Sequence, residues 1–158
     1  MENQDVRIVT LPPMRVASFY AYSSSPEADA WCKLVVWAKA HACWQDAPAR
    51  RVFGFNNPDP SAGSPNYGYE YWLTIDPDEG SDEPAKLKDF SGGMYAVLRC
   101  DVSAGAFDII GVSWGKLVKW LASSHYKHGN HQWLEEHLTR FDSNDQGLVL
   151  DLFIPITE

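Results

Sequence analysis

Two stretches of this chain follow one plan, and that repetition limits the fold more than any other feature. Met14 and Met94 each open a run of strand-forming residues, and each run leads into an amphipathic helical pattern. The helices carry Leu34-Val-Val-Trp37 and Leu117-Val-Lys-Trp120, offset by 83 residues where the methionines are offset by 80. Between them lies Asp76-Pro-Asp-Glu-Gly-Ser-Asp-Glu-Pro84, a linker in which five of nine residues are carboxylates. Matched order of this kind points to two strand–helix–strand units, neither able to cover its sheet alone. With 158 residues the chain has room for one domain of ordinary core size. The halves, about residues 5–75 and 86–158, are therefore expected to pack as a single α+β domain with pseudo-twofold symmetry.

Local signals fill in the plan. Residues 6–11 and 14–22 read as strand, interrupted by Pro12-Pro13. Ser25-Pro26-Glu27 reads as an N-cap, a proline at the first helical position and an acid near the positive helix end. The helix that follows should bury Trp31, Leu34, Val35 and Ala38 and stop before Pro48. Residues 51–56 and 67–75 are rich in aromatic and β-branched side chains and read as strands around the proline-rich loop at 57–66. In the second half, 93–101 reads as strand and about 109–123 as a helix burying Ile110, Trp114, Leu117, Val118 and Leu121. A short helix is expected over about 132–141 on Leu134, Leu138 and Phe141, then a turn at 144–147 and a closing strand at 148–156.

Composition excludes several classes of function. Lys and Arg number 13 against 21 Asp and Glu, a net charge of −8, and no basic cluster is present for direct nucleic-acid binding. Five of those charges lie in the acidic linker, leaving 13 positive against 16 negative, or −3, over the rest. No apolar run approaches the roughly 18–20 residues of a membrane span. The acidic start at Met1 is not a secretory signal, and Cys32, Cys43 and Cys100 form no CxxC pair, so free thiols in the cytoplasm are expected. The surplus is aromatic: seven each of Trp, Tyr and Phe. That surplus fits either a core of large side chains or a pocket for something flat or cationic.

Glu70 breaks the aromatic strand Tyr67-Gly-Tyr-Glu-Tyr-Trp-Leu-Thr-Ile75. Strand alternation places Tyr69, Tyr71, Leu73 and Ile75 on one face and Gly68, Glu70, Trp72 and Thr74 on the other. Glu70 either points to solvent, pairs with an arginine such as Arg51, or is a buried anion awaiting a cation. In the last case Gly68 leaves space and Trp72 offers a π face, and the attraction for an organic cation adds roughly 0.5–2 kcal/mol per cation–π contact.

Read in order, Val6-Arg-Ile-Val-Thr-Leu-Pro12, Arg15-Val-Ala17, Pro26-Glu27, Arg51-Val-Phe-Gly54, Tyr69-Glu70, Gly92-Gly-Met-Tyr-Ala96, Leu117 to Trp120 and Leu152-Phe-Ile-Pro-Ile156 run nearly the whole length of the chain. In that order and spacing they resemble the GyrI-like small-molecule-binding domain, the effector-binding domain of AraC-type and multidrug-sensing regulators. The resemblance implies two tandem β-α-β-β modules (an SHS2-like module each) forming an antiparallel sheet with helices on one face. It also implies a central cleft along the pseudo-twofold axis that takes hydrophobic, often cationic, molecules. The family's pocket glutamate maps onto Glu70; Trp72, Tyr95, Trp37, Trp114, Tyr69 and Phe19 are the candidate walls. Two departures stand out. The chain begins within six residues of the sensor and is read as a stand-alone form without the DNA-binding helical domain of regulators. Where relatives often have Glu followed two residues later by Tyr, this chain has Leu134-Glu-Glu-His137.

A binding protein that senses or sequesters drug-like cations is the expected function, with no cofactor and no metal. One alternative is a hydrolase of strained, cyclopropane-bearing natural products using Glu70 as general base. Another is a protein partner role like that of family members that inhibit DNA gyrase, through the acidic linker. His125-x2-His128-x2-His131 with His137 has a metal-like spacing, but Gly129-Asn130 interrupts it, and it reads as a solvated turn. Asp142-Ser-Asn-Asp-Gln-Gly147 lacks the closing glutamate of a calcium loop, where Phe153 stands.

Overall fold

The computed structural model describes residues 5–41, 50–76, 85–102, 107–139 and 148–158. Cys43, most of the acidic linker, Phe141 and the 144–147 turn lie outside them. In chain order the elements are β1 (Arg7–Leu11), β2 (Met14–Ser23), α1 (Pro26–Ala40), β3 (Val52–Asn56), β4 (Tyr67–Thr74), β5 (Lys86–Phe90), β6 (Gly93–Val102), α2 (Asp108–Ser123), β7 (Lys127–His128), β8 (Leu134–His137) and β9 (Leu148–Thr157). The chain forms two compact units: Met14–Phe90, and Ser91–Glu158 together with Met1–Pro13.

In the Met14–Phe90 unit the strands run antiparallel in the order β3-β4-β2-β5. Each strand alternates, so one sheet face carries Ala17, Phe19, Ala21, Val52, Tyr69, Tyr71, Leu73 and Ile75. Against that face α1 buries Ala30, Leu34, Trp37 and Ala38, with Trp31 and Val35 partly buried at its edge. Trp37 takes the place in the core that helical spacing assigned to Trp31 and Val35. Pro26 opens the helix as expected. Ser25, however, makes no side-chain cap; instead the Ser23 hydroxyl donates to Asp29 Oδ2 at 2.6 Å and accepts the Ser25 N–H at 3.1 Å.

In the other unit β1, β6, β9 and β8 pair antiparallel in that order, and β7 also pairs with β9. Here α2 buries Leu117 and Leu121 against Ala96, Leu98, Cys100, Leu150, Leu152, Ile154 and Ile156. Ile110 and Trp114 are half-buried, whereas Val118 faces solvent.

Three sequence expectations change. Where a helix was expected over about 132–141, the described residues Leu134–His137 form strand β8, with Leu134 and Glu136 buried and Glu135 and His137 half-buried. That period of two answers to pairing with β9, and Leu138, which a helix would have buried beside Leu134, is 40% exposed. Strand β5 went unpredicted because Lys86-Leu-Lys-Asp-Phe90 is too charged to read as strand; charged side chains are a known guard on sheet edges. Finally, the offset of 80 between Met14 and Met94 is one residue away from the offset at which the burial of β2 and β6 matches. β2 and β6 share the same burial sequence over their first nine positions at an offset of 79, from Met14 to Gly93. A slip of one residue sends every side chain to the other face.

Candidate functional site

The face of the Met14–Phe90 sheet turned away from α1 holds a polar cluster in aromatic surroundings. On it β4 presents Gly68, Glu70 and Trp72; Tyr20 and Phe55 stand across from Glu70, and Ser18 and Phe53 across from Trp72. Glu70 is 2% exposed. Its Oε2 accepts the Ser18 hydroxyl at 2.6 Å, the Trp72 indole N–H at 2.8 Å and the Lys88 ammonium at 2.6 Å. Its Oε1 accepts the Asn57 amide at 3.3 Å. A buried carboxylate is tolerable only with such partners.

These groups also decide the protonation state. Burial pushes the Glu70 carboxyl up. The bonds from Lys88, Ser18 and Trp72, with the Lys88 charge, outweigh burial and hold it below the ordinary carboxylate range. Glu70 is an anion at neutral pH. Trp72 lies edge-on to Phe55 at 5.0 Å between ring centroids and tilted to Phe90 at 5.3 Å. All three rings are nearly buried.

The cation is therefore Lys88 on β5. Arg51, the partner suggested by sequence, lies over the Phe53 ring at 5.0 Å. Gly68 also has a different role from the one expected. A Cβ there would fall on the Asn57 carbonyl and come within 2.7 Å of the Tyr20 hydroxyl oxygen. The missing side chain admits the backbone that carries Asn57, which is fixed by Asn57 N–H to Gly68 O at 2.8 Å and Gly68 N–H to Pro58 O at 3.1 Å. The space is thus used to bring the Asn57 amide to Glu70.

Of the seven candidate residues, Glu70 and Trp72 come together. Phe19, Trp37 and Tyr69 sit on the opposite face, inside the α1 core, with Phe19 and Trp37 rings 5.7 Å apart. Parity separates them: Tyr69 is one residue from Glu70, and Phe19 stands on the same side as Tyr69. Tyr95 belongs to the other unit, fully buried, its hydroxyl donating to Gln132 O at 2.6 Å and its ring edge-on to Phe153 and His131. Burial lifts its phenol well above the usual value. Trp114 donates its indole N–H to Glu135 Oε2 at 3.1 Å and packs on Trp133. Ser18, Asn57 and Lys88 were missed by sequence reasoning. Alternation through β2 carries the signal for Ser18, but Asn57 and Lys88 reach Glu70 only through the loop and edge pairing.

The second unit buries two carboxylates, Glu136 on β8 and Asp151 on β9, across from each other. Asp151 on β9 stands across from Arg99 as Glu70 stands across from Tyr20. It accepts Arg99 Nε at 2.5 Å and Arg7 Nη2 at 2.9 Å. His131 lies with Nε2 2.8 Å from the Met94 carbonyl, and a Cβ at Gly93 would approach its ring to 2.7 Å. No group of three or more His, Cys, Asp or Glu among the described residues is placed to hold a metal ion. No helix among them is long and apolar enough to cross a membrane.

The model of the Cass2 family, integron-associated effector-binding protein, matches residues 7–156. The chain belongs to this effector-binding family. No curated protein sequence matches it significantly. Among solved structures, the EcmrR C-terminal domain superposes with a TM-score of 0.69 at 11% identity, covering 97% of both chains. A hydrolase from Listeria innocua gives 0.69 at 12% identity, over 98% of this chain and 92% of that one. SAV2435 bound to tetraphenylphosphonium gives 0.56 at 7% identity, over 98% and 94%. At such identities the likeness is one of fold, and it places the Cass2-family chain in the GyrI-like α+β fold expected from its sequence.

Proposed function

We propose that this effector-binding protein takes up hydrophobic organic cations at Glu70, and so senses or sequesters them in the cytoplasm. The observation that carries the reading is a carboxylate 2% exposed, set among aromatic rings and closed on its charged side by one half-exposed ammonium, Lys88. In a low-dielectric setting such an anion attracts a cation far more strongly than a surface carboxylate does, and ring faces favour a delocalised charge. The tetraphenylphosphonium bound to SAV2435, a lipophilic cation on the same fold, supports the ligand class.

Hydrolysis at Glu70 is disfavoured by the same electrostatics. A carboxyl held below its ordinary range is a poorer base than a buried, unpaired one. The gyrase-directed role rested on the acidic linker, whose residues 77–84 lie outside the described structure.

Titration with tetraphenylphosphonium, followed by tryptophan fluorescence and calorimetry, tests the reading. The wild type should bind it better than neutral triphenylphosphine oxide. Glu70→Gln should weaken the cation by roughly tenfold or more while leaving the oxide unchanged. Equal binding of the cation by wild type and Glu70→Gln would remove Glu70 from the site.

A further inference from the structure

Of the three carboxylates buried among the described residues, Glu70 and Asp151 are closed differently. Asp151 is held by two arginines, Arg99 engaging both its oxygens at 2.5 and 3.4 Å and Arg7 adding a bond at 2.9 Å. Guanidinium forks of this kind are multiply bonded and geometrically fixed. Glu70 has one charged partner among the described residues, an ammonium making a single 2.6 Å contact. Its other three donors are neutral: Ser18, Trp72 and Asn57.

The surroundings of the two ends of this pair differ sharply. The Glu70 side chain is 3% exposed and the Lys88 side chain 45%. Lys88 stands on β5, the edge strand of its sheet, paired through Val16 of β2. Its stem can rotate into water without breaking any strand pairing, and a lysine ammonium is strongly hydrated there. Once it leaves, Ser18, Trp72 and Asn57 still hold the carboxylate in place. The vacated position lies against a charged oxygen, beside Trp72.

We propose that Lys88 is a tethered counter-cation: it occupies the Glu70 site in the free protein and is expelled to solvent when an organic cation binds. This rests on the reading of Glu70 as the cation site and adds what regulates it. Lys88 sets the threshold of affinity. A ligand must outcompete an ammonium already in contact, so weakly interacting cations are rejected, whereas bulky aromatic-binding ones recover the cost through ring contacts. Neutral ligands gain nothing by displacing it.

The decisive comparison uses tetraphenylphosphonium and triphenylphosphine oxide on wild type, Lys88→Met and Glu70→Gln. Methionine keeps most of the stem and removes the charge. Lys88→Met should tighten the phosphonium by roughly tenfold or more, since the competitor is gone, and leave the oxide unchanged. No tightening, or equal tightening of both ligands, overturns the proposal. If Glu70→Gln binds the phosphonium as well as wild type, the site reading itself fails. If Glu70→Gln weakens binding but Lys88→Met does not tighten it, only the role of Lys88 fails. Absence of binding to both wild type and Lys88→Met overturns both.

A second measurement needs no variant. Acylation of lysines in the wild-type protein by an amine-reactive ester, read by mass spectrometry, should become several-fold faster at Lys88 when tetraphenylphosphonium is added. Lys116 on the exposed face of α2 is the internal control. An unchanged or slower rate at Lys88 overturns the displacement.

Discussion

Three hydrogen bonds converge on one oxygen of Glu70, and their removal should be read with that in mind. Ser18→Ala and Trp72→Phe each delete a bond to a charged group, worth about 1.5–3 kcal/mol. Because they share an acceptor, the double variant should lose less or more than the sum, and urea unfolding of the pair as a double-mutant cycle measures the difference. Acid should act through the same residue. Glu70 has a lowered pKa in the folded state, so its contribution is complete above the ordinary value of 4.5 and disappears as pH falls through the lower folded value. Urea midpoints measured between pH 6 and 3 should therefore fall less steeply in Glu70→Gln than in wild type. Gly68→Ala should cost roughly 1–3 kcal/mol, the range for overpacking, because the new methyl falls on the Asn57 carbonyl. Asn57→Ala would not reproduce that loss. The position and company of Glu70 were legible in the sequence, as alternation puts Trp72 beside it. Its counter-cation was not, because Lys88 is 18 residues away on a strand that charge disguised.

At the scale of elements, the strand–helix choice at 134–138 yields a direct check. Leu134 is fully buried and Leu138 is 40% exposed. Leu134→Ala should cost about 2–5 kcal/mol, and Leu138→Ala should stay within about 0.5 kcal/mol; a helix presenting both to the core would make them similar. The same strand carries His137, which burial lowers to about 3 from 6.5. Between those values the unfolded chain binds the proton and the folded chain does not, so stability falls as pH drops from 6.5 towards 3. His137→Asn should flatten that decline between pH 6.5 and 5, above the range in which Glu70 acts. The long apolar strands β2, β4, β6 and β9 and the two helices were readable because periodicity there is strong. The short pieces β5, β7 and β8 were not, since each owes its strand state to the neighbour it pairs with and little to its own residues.

Across the whole molecule, chain order and sheet order disagree in a reciprocal way. β1 directly precedes β2 yet pairs with β6, and β5 directly precedes β6 yet pairs with β2. Halves cut where the acidic linker suggests, at 75 and 86, would each lose an edge strand to the other piece. A chain cleaved at a protease site engineered within 77–84 should consequently stay together on size exclusion without denaturant, and separate fragments would contradict the strand pairing. The repeat read in the sequence suggested halves at about 5–75 and 86–158, whereas the two compact units are Met14–Phe90 and Ser91–Glu158 with Met1–Pro13. The repeat could not reveal the exchange, because nothing in Arg7–Leu11 or Lys86–Phe90 names a distant partner. The β1-β6-β9 arrangement has a mechanical consequence. β1 and β9 both run antiparallel to the β6 strand between them, so they run parallel to each other. A pull on the two ends of the chain draws the start of β1 and the end of β9 in opposite directions along their own axes. The ladders on either side of β6 are loaded in shear, all their hydrogen bonds together, and the protein should resist stretching as a clasp does rather than open as a zip.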